Sequence, residues 1–555
     1  MRSRTVIAIT AIFISISPVQ GHASYLFPDE VFQNPQAETY SLTLTDGRLN
    51  NNFISRLQGV DPPDPKTGKG GGNYICQNFD DSTCQNLTGI SGSLIVPSCA
   101  FHASDYCIKG LQISTGTGTA PREMTPIYEL DTQKFSASAK NKVPGGYGVT
   151  LWRDSQLGDF LVNMNLNFFK PKNMPAEFVS LSTVIAPVDV ENNPAYTAIE
   201  TVKYDAKVGE IPNIMDRTRR AMTIDQAKCL VVEEGRCFIR REFVENTRLT
   251  LGALVPSEMK GWLSGRMKDT DVTLIPSSAT NSLLSISGTV AKTPNLIVQM
   301  PKEQVLKTQS FVDYTKRTGY NNGDDVFAQI SRPGPVGSSG SLVDGFWAVE
   351  SWGDALKAYS GPDKLFGLST HWNFASITTR NLDSRCTNIK NKFLGIVTTN
   401  APIYESEPPA FKNGFLQYRV AGPHFDTDQK SLFKGVYDLN INSEFARCLY
   451  GFTNAPISAT ISVTNSDGNN QDISTEVMSE KNGWIHLGAY NFHFSSPTVK
   501  VKFSQEKSQA PAAQPTPSAT PSAKPAPISK ISCSKGKVIK RITGSKCPVG
   551  YKKVV

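Results

Sequence analysis

The sequence predicts a mainly β, multidomain protein built from antiparallel, β-sandwich-like domains that are crosslinked by disulfides. The first observation is the alternation of apolar residues with serine and threonine between Ile457 and Val463, which is typical of strands with one wet face. The second is the Asn482-Gly483 pair, since Asn-Gly supplies the positive φ that tight hairpins need. The third is the presence of ten cysteines, an even number that favours disulfides in an exported chain.

Residues 1–23 have the pattern of an export signal. Arg2 and Arg4 precede an apolar run from Thr5 to Ser17, and Gly21-His22-Ala23 offers small residues at a cleavage site. The apolar run is too short to cross ~30 Å of hydrocarbon. We therefore predict a cleaved leader and a secreted, extracellular or cell-envelope-associated protein.

The 555 residues are too many for a single hydrophobic core. Composition divides the rest of the chain into six predicted parts. These are an N-terminal β-rich disulfide domain (24–159), a second β-rich domain (160–309), an aromatic-rich α+β segment (310–399), a C-terminal β-sandwich-like domain (400–504), a Pro/Ala-rich linker (505–530) and a basic, Cys-stapled tail (531–555).

Most local patterns in the body predict short strands. Clear examples are Tyr40–Thr45, Leu94–Val96, Cys237–Phe243 and Arg248–Val255. One stretch differs: Pro256–Met267 predicts an amphipathic helix with Trp262 and Leu263 packed inward. In the tail we expect a hairpin that turns at Thr543-Gly544-Ser545.

The cysteine spacings predict mostly local disulfides. The predicted pairs are Cys76–Cys84, Cys99–Cys107, Cys229–Cys237 and Cys533–Cys547, which leaves Cys386–Cys448. Other connectivities are compatible with the same ten cysteines. The spacing of eight between partners of the first pairs does not match the C-x₂₋₄-C spacing of zinc sites, so we predict no metal.

Charge is segregated along the chain. The formal net charge is +8, yet after Glu506 there are ten Lys or Arg and no acidic residue, so the body before the tail is mildly acidic. Such a basic block favours anionic partners. We predict that the tail contacts an anionic cell-wall polymer or membrane surface. The envelope-binding residues would be Lys535, Lys537, Lys540, Arg541, Lys546, Lys552 and Lys553. Nucleic acid is excluded as a partner by export, and a merely solubilising tail is the alternative.

One stretch offers a weak enzyme alternative. Gly337-Ser338-Ser339-Gly340 followed by Ser351-Trp352-Gly353 is similar to the nucleophile region of chymotrypsin-like proteases. Ser339 would be the nucleophile and His102 its base, since a serine needs a base held by a carboxylate. Ser338 replaces the acidic residue of that motif and Ser341 replaces a glycine, which argues against a protease.

Other chemistry finds little support in the sequence. His424-Phe425-Asp426-Thr427-Asp428 has ligand types at alternate positions, but a polar turn is the simpler interpretation. His486 and His493 are predicted as strand positions. A pair of carboxylates acting on glycosides stays open, because spacing in sequence does not show which carboxylates are close in space. No cofactor is predicted.

The segment 310–399 holds an aromatic cluster of Phe346, Trp347, Trp352, Trp372 and Phe374. Aromatic side chains at this density stack on sugars or form a core. We favour the core, and a carbohydrate or protein ligand for the body stays open.

Two regions resemble a group of secreted actinobacterial proteins. One is the tail, with Cys533-Ser534-Lys535-Gly536-Lys537, Lys540, Thr543-Gly544 and Cys547-Pro548-x-Gly550-Tyr551-Lys552-Lys553. The other comprises Ala446–Phe452, Glu480–Trp484 and Phe494–Thr498. The resemblance implies an extracellular compartment and this β-domain-plus-tail architecture, and it supplies no catalytic residue. We predict an exported, cell-envelope-associated, non-enzymatic surface or binding protein, with a secreted hydrolase as the alternative.

Overall fold

The fold is known from a computed structural model. With short internal gaps, it describes residues 39–44, 53–61, 72–194, 229–301, 367–377, 392–505 and 530–554, together with isolated positions in 303–336 and 386–389. The predicted leader at 1–23 and the linker residues 506–529 lie outside the described residues. Residues up to 506 and residues 507–555 form two compact units.

The described residues are mainly β, as predicted. The strands before residue 302 are β1 (Thr39–Leu44), β2 (Arg56–Asp61), β3 (Gly72–Ile75), β4 (Gly89–Ile95), β5 (Ile108–Thr115), β6 (Arg122–Glu123), β7 (Thr125–Glu129), β8 (Thr150–Asp154), β9 (Gly158–Pro171), β10 (Glu177–Asn192), β11 (Cys229–Glu233), β12 (Arg236–Arg240), β13 (Thr247–Pro256), β14 (Gly261–Pro276) and β15 (Asn281–Pro301). Helix α1 spans Ser82–Gln85.

The later strands are β16 (Phe327–Ala328), β17 (Gly334–Val336), β18 (Gly367–Ile377), β19 (Phe393–Thr399), β20 (Ile403–Glu405), β21 (Ala410–Lys412), β22 (Phe415–Ala421), β23 (Lys434–Asn442), β24 (Ile457–Thr464), β25 (Asn470–Gln471), β26 (Thr475–Lys481), β27 (Trp484–His493), β28 (Thr498–Gln505), β29 (Lys530–Lys535), β30 (Val538–Thr543) and β31 (Lys552–Val554). Helix α2 spans Ser443–Tyr450.

One long row of paired strands runs through the larger unit. Its order is β3-β2-β4-β9-β10-β18-β14-β19-β23-β27-β26. A second row, β6-β5-β13-β15-β14, faces part of it. Strand β14 belongs to both rows because a bulge between Lys268 and Asp271 bends it out of the first row and into the second.

The two largest hydrophobic cores of the described residues lie against this long row. The first, between the two rows, contains Met164, Leu166, Leu251, Trp372 and Phe374 among others. Strand β13, which lies where a strand was predicted, buries every second residue: Leu249, Leu251, Ala253 and Val255. This apolar face of the second row packs against the long row and closes the sandwich.

The second core lies between β19, β23 and β27 on one side and the sheet β17-β20-β22-β28-β24-β25 on the other. Helix α2 closes it, with Phe445, Ala446 and Leu449 buried. Asn442 caps the helix by accepting the amide proton of Phe445, and Gly451 ends it in the left-handed conformation. The predicted turn at Asn482-Gly483 is present, with φ angles of 52° and 79°.

The helix predicted at Pro256–Met267 is wrong. Strand β13 ends at Pro256, and β14 starts at Gly261. Trp262 and Leu263 are buried as predicted, but every residue from Gly261 to Met267 is buried. Strand β14 lies between β18 and β19 in the sheet, and its two faces pack on different cores, since Leu263 belongs to the first core and Trp262 to the second. Such a strand shows no period-2 alternation, so its pattern resembled that of a helix.

Four of the predicted disulfides are present. They are Cys76–Cys84, Cys99–Cys107, Cys229–Cys237 and Cys386–Cys448. Cys547 is disulfide-bonded as well, and its pairing with Cys533 stays a prediction. The disulfides indicate an oxidising compartment. Among the described residues, no helix is long and apolar enough to span a bilayer.

Strand pairs join segments on both sides of the predicted boundaries within the body. Strand β4 pairs with β9 across 159/160, β14 pairs with β18 across 309/310, and β19 pairs with β23 across 399/400. The boundaries themselves stay a prediction. Because these sheets are continuous, side chains far apart in sequence meet on them and can form one site.

The smaller unit is a three-stranded antiparallel sheet in the order β30-β29-β31. Strand β29 pairs with β30 from Lys530–Thr543 to Lys535–Val538. The chain therefore reverses between Lys535 and Val538, and the hairpin of β29 and β30 does not turn at the expected Thr543-Gly544-Ser545, since Thr543 ends strand β30. The expected position was wrong because the sequence has glycine at both 536 and 544, and only the strand register distinguishes them.

Candidate functional site

His102 lies in a loop that a disulfide holds in place. Cys99 and Cys107 close the loop, and the His102 amide donates a proton to the Ser98 carbonyl at 3.0 Å. The imidazole is 40% exposed, and its Nε2 lies 2.7 Å from Oε2 of Glu129, a carboxylate that is only 11% exposed. The imidazole ring also packs on Tyr147, with 4.4 Å between the ring centroids. The loop therefore presents an oriented, accessible imidazole.

Glu129 is the centre of this cluster. Its second oxygen, Oε1, lies 2.9 Å from Nζ of Lys134 and accepts the amide proton of Gly148 at 3.3 Å. Burial and the negative charge of Glu129 raise the pKa of Tyr147. A carboxylate behind an imidazole is the arrangement that lets histidine act as a general base. In the part of the chain that the structure describes, no serine, threonine or cysteine side chain is hydrogen-bonded to the imidazole of His102.

Ser339, the predicted nucleophile, lies outside the described residues. So do Phe346, Trp347 and Trp352 of the aromatic cluster. Trp372 and Phe374 are both 1% exposed, in the first core, with ring centroids 5.7 Å apart. For these two residues the prediction of a core position is confirmed.

The stretch with alternating metal-ligand types forms a turn where it is described. Asp428 accepts protons from the Lys430 and Ser431 amides at 2.8 Å, and Phe425 pairs with Leu432 across the turn. His424 lies outside the described residues. Among the residues that are described, no group of three or more His, Cys, Asp or Glu side chains is placed to hold a metal ion.

A buried polar network crosses the long row of strands. Asp438 of β23 is fully buried, and its Oδ1 accepts protons from His486 Nε2 at 2.8 Å and from Tyr490 Oη at 2.5 Å, both on β27. Its Oδ2 accepts the Asp269 amide proton at 2.9 Å. The β14 bulge supplies this amide, since Asp269 has a φ of 53°. The network thus joins three strands, and its burial suits structure rather than catalysis.

Charge and burial shift the titration of this network. Burial raises the pKa of Asp438 more than its hydrogen bonds with His486 and Tyr490 lower it. Burial lowers the pKa of His486, but the hydrogen bond to Asp438 and the negative charges of Asp438, Asp271 and Asp269 outweigh it, so the pKa is raised overall. His493, by contrast, is partly exposed beside Lys434, and burial lowers its pKa.

The basic tail provides a different kind of surface. The strand register places Cys533 opposite Lys540 on β30 and opposite Lys553 on β31. The neighbours of Cys533 on β29 also lie opposite basic positions: Ser532 is opposite Arg541, and Ser534 is opposite Lys552. Directly opposed positions share a face of a sheet, so both faces carry basic positions. Lys552 and Lys553 are exposed. Lys535, Lys540 and Arg541 lie in strands, whereas Lys537 and Lys546 lie outside the described residues.

No protein-family model, no curated protein and no solved structure matches this chain. The resemblance to secreted actinobacterial proteins stays a prediction.

The sequence did not reveal the carboxylate partners of His102 and His486, which are Glu129 and Asp438. Asp438 carried a usable signal, because it is a single charge in the otherwise apolar and amide-bearing run from Val436 to Ile441, and a charge at such a position requires partners when buried. Glu129 carried no signal. The pairing of β7 with β8 places Glu129 opposite Thr150, and the Tyr147 amide donates a proton to the carbonyl of Ile95, at the end of β4 just before the stapled loop.

The raised pKa of His486 predicts a pH dependence of stability. A group whose folded-state pKa exceeds its unfolded value, about 6.5 for histidine, stabilises the fold fully below that value. The contribution is lost as pH rises through the folded-state pKa, by at most about 1.4 kcal/mol per pH unit. We expect the free energy of unfolding, measured by urea denaturation from pH 6 to 9, to fall more steeply in the native chain than in His486→Gln. Parallel curves would contradict the assignment.

Proposed function

We propose that the protein is exported and associates with the cell envelope as a non-enzymatic binding protein, held there by its basic C-terminal unit. The oxidised cysteines support the extracellular location. The predicted leader at residues 1–23 supports it as well.

The observation that carries the proposal is the charge of the unit formed by residues 507–555. This unit folds as its own three-stranded sheet, and it contains ten Lys or Arg and no acidic residue. Opposite-charge attraction to a dense anionic surface adds about 1 kcal/mol for each Lys or Arg near that surface. It acts over roughly 8–10 Å at physiological salt. Several weak contacts of this kind hold a protein without a shaped pocket.

The test removes charge from the tail while keeping its strands. In the full-length mature chain, Lys535, Lys540, Lys552 and Lys553 are each replaced with glutamine, and binding is measured by co-sedimentation. The two arms are isolated cell walls and phosphatidylglycerol vesicles, which separate a wall polymer from a lipid surface. We expect binding in at least one arm to fall by about two to three orders of magnitude, since four charges at about 1 kcal/mol each are lost.

The matched control replaces four exposed lysines of the body, Lys109, Lys260, Lys412 and Lys430, with glutamine. This variant has the same net charge as the tail variant, so a surface effect of overall charge would weaken both equally. Equal binding by the two variants, or full binding by the tail variant, would overturn the proposed role of the tail.

The contact between His102 and Glu129 favours a second candidate, a secreted hydrolase. An accessible imidazole held by a largely buried carboxylate can supply the general base that a hydrolase needs. Turnover of a peptide or glycoside substrate that is abolished in His102→Gln, but kept in the control His493→Gln, would support the hydrolase over the non-enzymatic protein.

A further inference from the structure

A shallow cavity lies between helix α2 and the turn joining β26 to β27. Its volume is about 500 Å³, and its walls include Ser443, Glu444, Arg447, Phe452 and Gly483. Ligand cavities typically measure about 300–1,000 Å³. The two stretches that carry the sequence resemblance, Ala446–Phe452 and Glu480–Trp484, both contribute to it. They meet here although three strands separate the helix from the turn along the chain.

Ser443, the first residue of α2, has a buried hydroxyl group that the helix does not use. Its backbone amide donates a proton to the Gly483 carbonyl at 2.9 Å, and the residue is 7% exposed. Among the described residues, the hydroxyl has no hydrogen-bond partner. Helix capping does not need it, because Asn442 already caps α2. A buried polar group without a partner costs about 1–3 kcal/mol, so a hydroxyl retained at the wall of a cavity points to a ligand.

Arg447 and Glu480 place charged groups firmly at the cavity. Arg447 Nη2 donates protons to both Glu480 carboxylate oxygens, at 2.8 and 2.9 Å, and Nη1 donates to the Thr453 carbonyl at 2.8 Å. The two side chains are 13% and 31% exposed. These contacts from two nitrogens hold the Arg447 guanidinium in place at the cavity wall, where it can donate to a ligand hydroxyl group.

Phe452 forms an apolar wall. Its ring packs on Tyr450 with centroids 5.3 Å apart, and its backbone amide donates a proton to the Arg447 carbonyl at 2.8 Å. Gly451 turns the chain here, with a φ of 65°. An aromatic face held in this way is suited to stacking against an apolar surface of a ligand.

The charges around the cavity discriminate between ligands. Glu444 lies in the first turn of α2, at the positive end of the helix dipole, which it offsets. The two charged lining residues, Glu444 and Arg447, have opposite charges, and Arg447 is also paired with Glu480. The lining therefore offers no uncompensated positive charge to an anionic ligand, whereas a neutral ligand rich in hydroxyl groups needs none.

We propose that this cavity binds a neutral saccharide. Hydroxyl groups of the sugar would hydrogen-bond to the Ser443 hydroxyl and to the Arg447 guanidinium, and the apolar face of the ring would stack on Phe452. The inference deepens the proposed binding function by naming a ligand class for the body. It does not depend on the basic tail.

Calorimetric titration of the full-length mature chain tests the site. The probes are tri-N-acetylchitotriose (chitotriose below), a neutral trisaccharide, and trigalacturonate, an acidic one. Chitotriose should bind, and trigalacturonate should bind at least about tenfold more weakly because the lining has no uncompensated positive charge to pair with its carboxylates. Ser443→Ala should weaken chitotriose binding about fivefold, the value of one hydrogen bond between neutral groups. The control Ser479→Ala, at an exposed position whose neighbour is Glu480, should bind like the native chain.

Thermal unfolding distinguishes a ligand role from a structural one. If Ser443 had a structural role, its replacement would destabilise the chain. Ser443→Ala instead removes a buried hydroxyl that makes no hydrogen bond within the described residues. The melting temperature of this variant should therefore be equal to that of the native chain or higher. Absence of chitotriose binding, equal binding of trigalacturonate, or unchanged binding by Ser443→Ala would each overturn the proposal. The glutamine variant of the tail should still bind chitotriose, so failure of this site and failure of the envelope proposal are told apart.

Discussion

Replacement of Asp438 with alanine should lower the free energy of unfolding by about 3–5 kcal/mol. The carboxylate is fully buried and satisfies three donors at once: His486, Tyr490 and the amide of Asp269. Alanine leaves all three without this acceptor in a place that water does not reach, and each unsatisfied buried donor costs about 1–3 kcal/mol. Urea denaturation at pH 7 measures the loss.

The surface residue Asp131 provides the control. Its side chain is 89% exposed and pairs only loosely with Lys134, at 3.7 Å, so Asp131→Ala should change stability little. Tyr490→Phe should cost less than Asp438→Ala, because it removes one of the three hydrogen bonds and leaves the carboxylate in place. If Asp438→Ala were no more destabilising than Asp131→Ala, the network would not hold the strands β14, β23 and β27 together.

Removal of the Cys386–Cys448 disulfide should be the second large effect. The bond closes a loop between residues 62 positions apart, and loop-closure entropy assigns such a bond about 4 kcal/mol. It also ties helix α2, and with it the second core, to the segment before β19. We expect Cys386→Ala combined with Cys448→Ala to lower the denaturant midpoint accordingly, without a change in the oxidation of the other pairs.

The short Cys76–Cys84 disulfide is the matched comparison. Its partners are 8 positions apart, so the same model assigns it about 2–3 kcal/mol. Both half-cystines are buried, as is Cys386, so the packing loss is of a similar kind. Equal destabilisation by the two double replacements would contradict a contribution that grows with loop length.

Several features were predictable because they depend on neighbours in sequence. The alternation in β24 identified a strand, Asn482-Gly483 identified a turn, and the regular spacing of cysteines identified three local disulfides. The fourth followed from the two cysteines that remained in the body. In each case, the covalent chain itself brings the interacting groups close together.

Other features could not be predicted because they depend on which strands are adjacent. Strand β14 was mistaken for a helix because the two hydrophobic cores cover both of its faces. The carboxylate partners of His102 and His486 come from distant strands. The hairpin connection in the tail is set by the register of β29 on β30.

The amino-acid sequence by itself determined the β class, most of the crosslinks and the separation of a basic tail from an acidic body, because periodicity, spacing and charge are local properties. Only the tertiary structure decided that helix α2 and the distant Gly483 line one cavity and that Asp438 joins three strands. The reason is that side chains far apart along the chain become neighbours through strand pairing, and burial then determines which polar groups need partners.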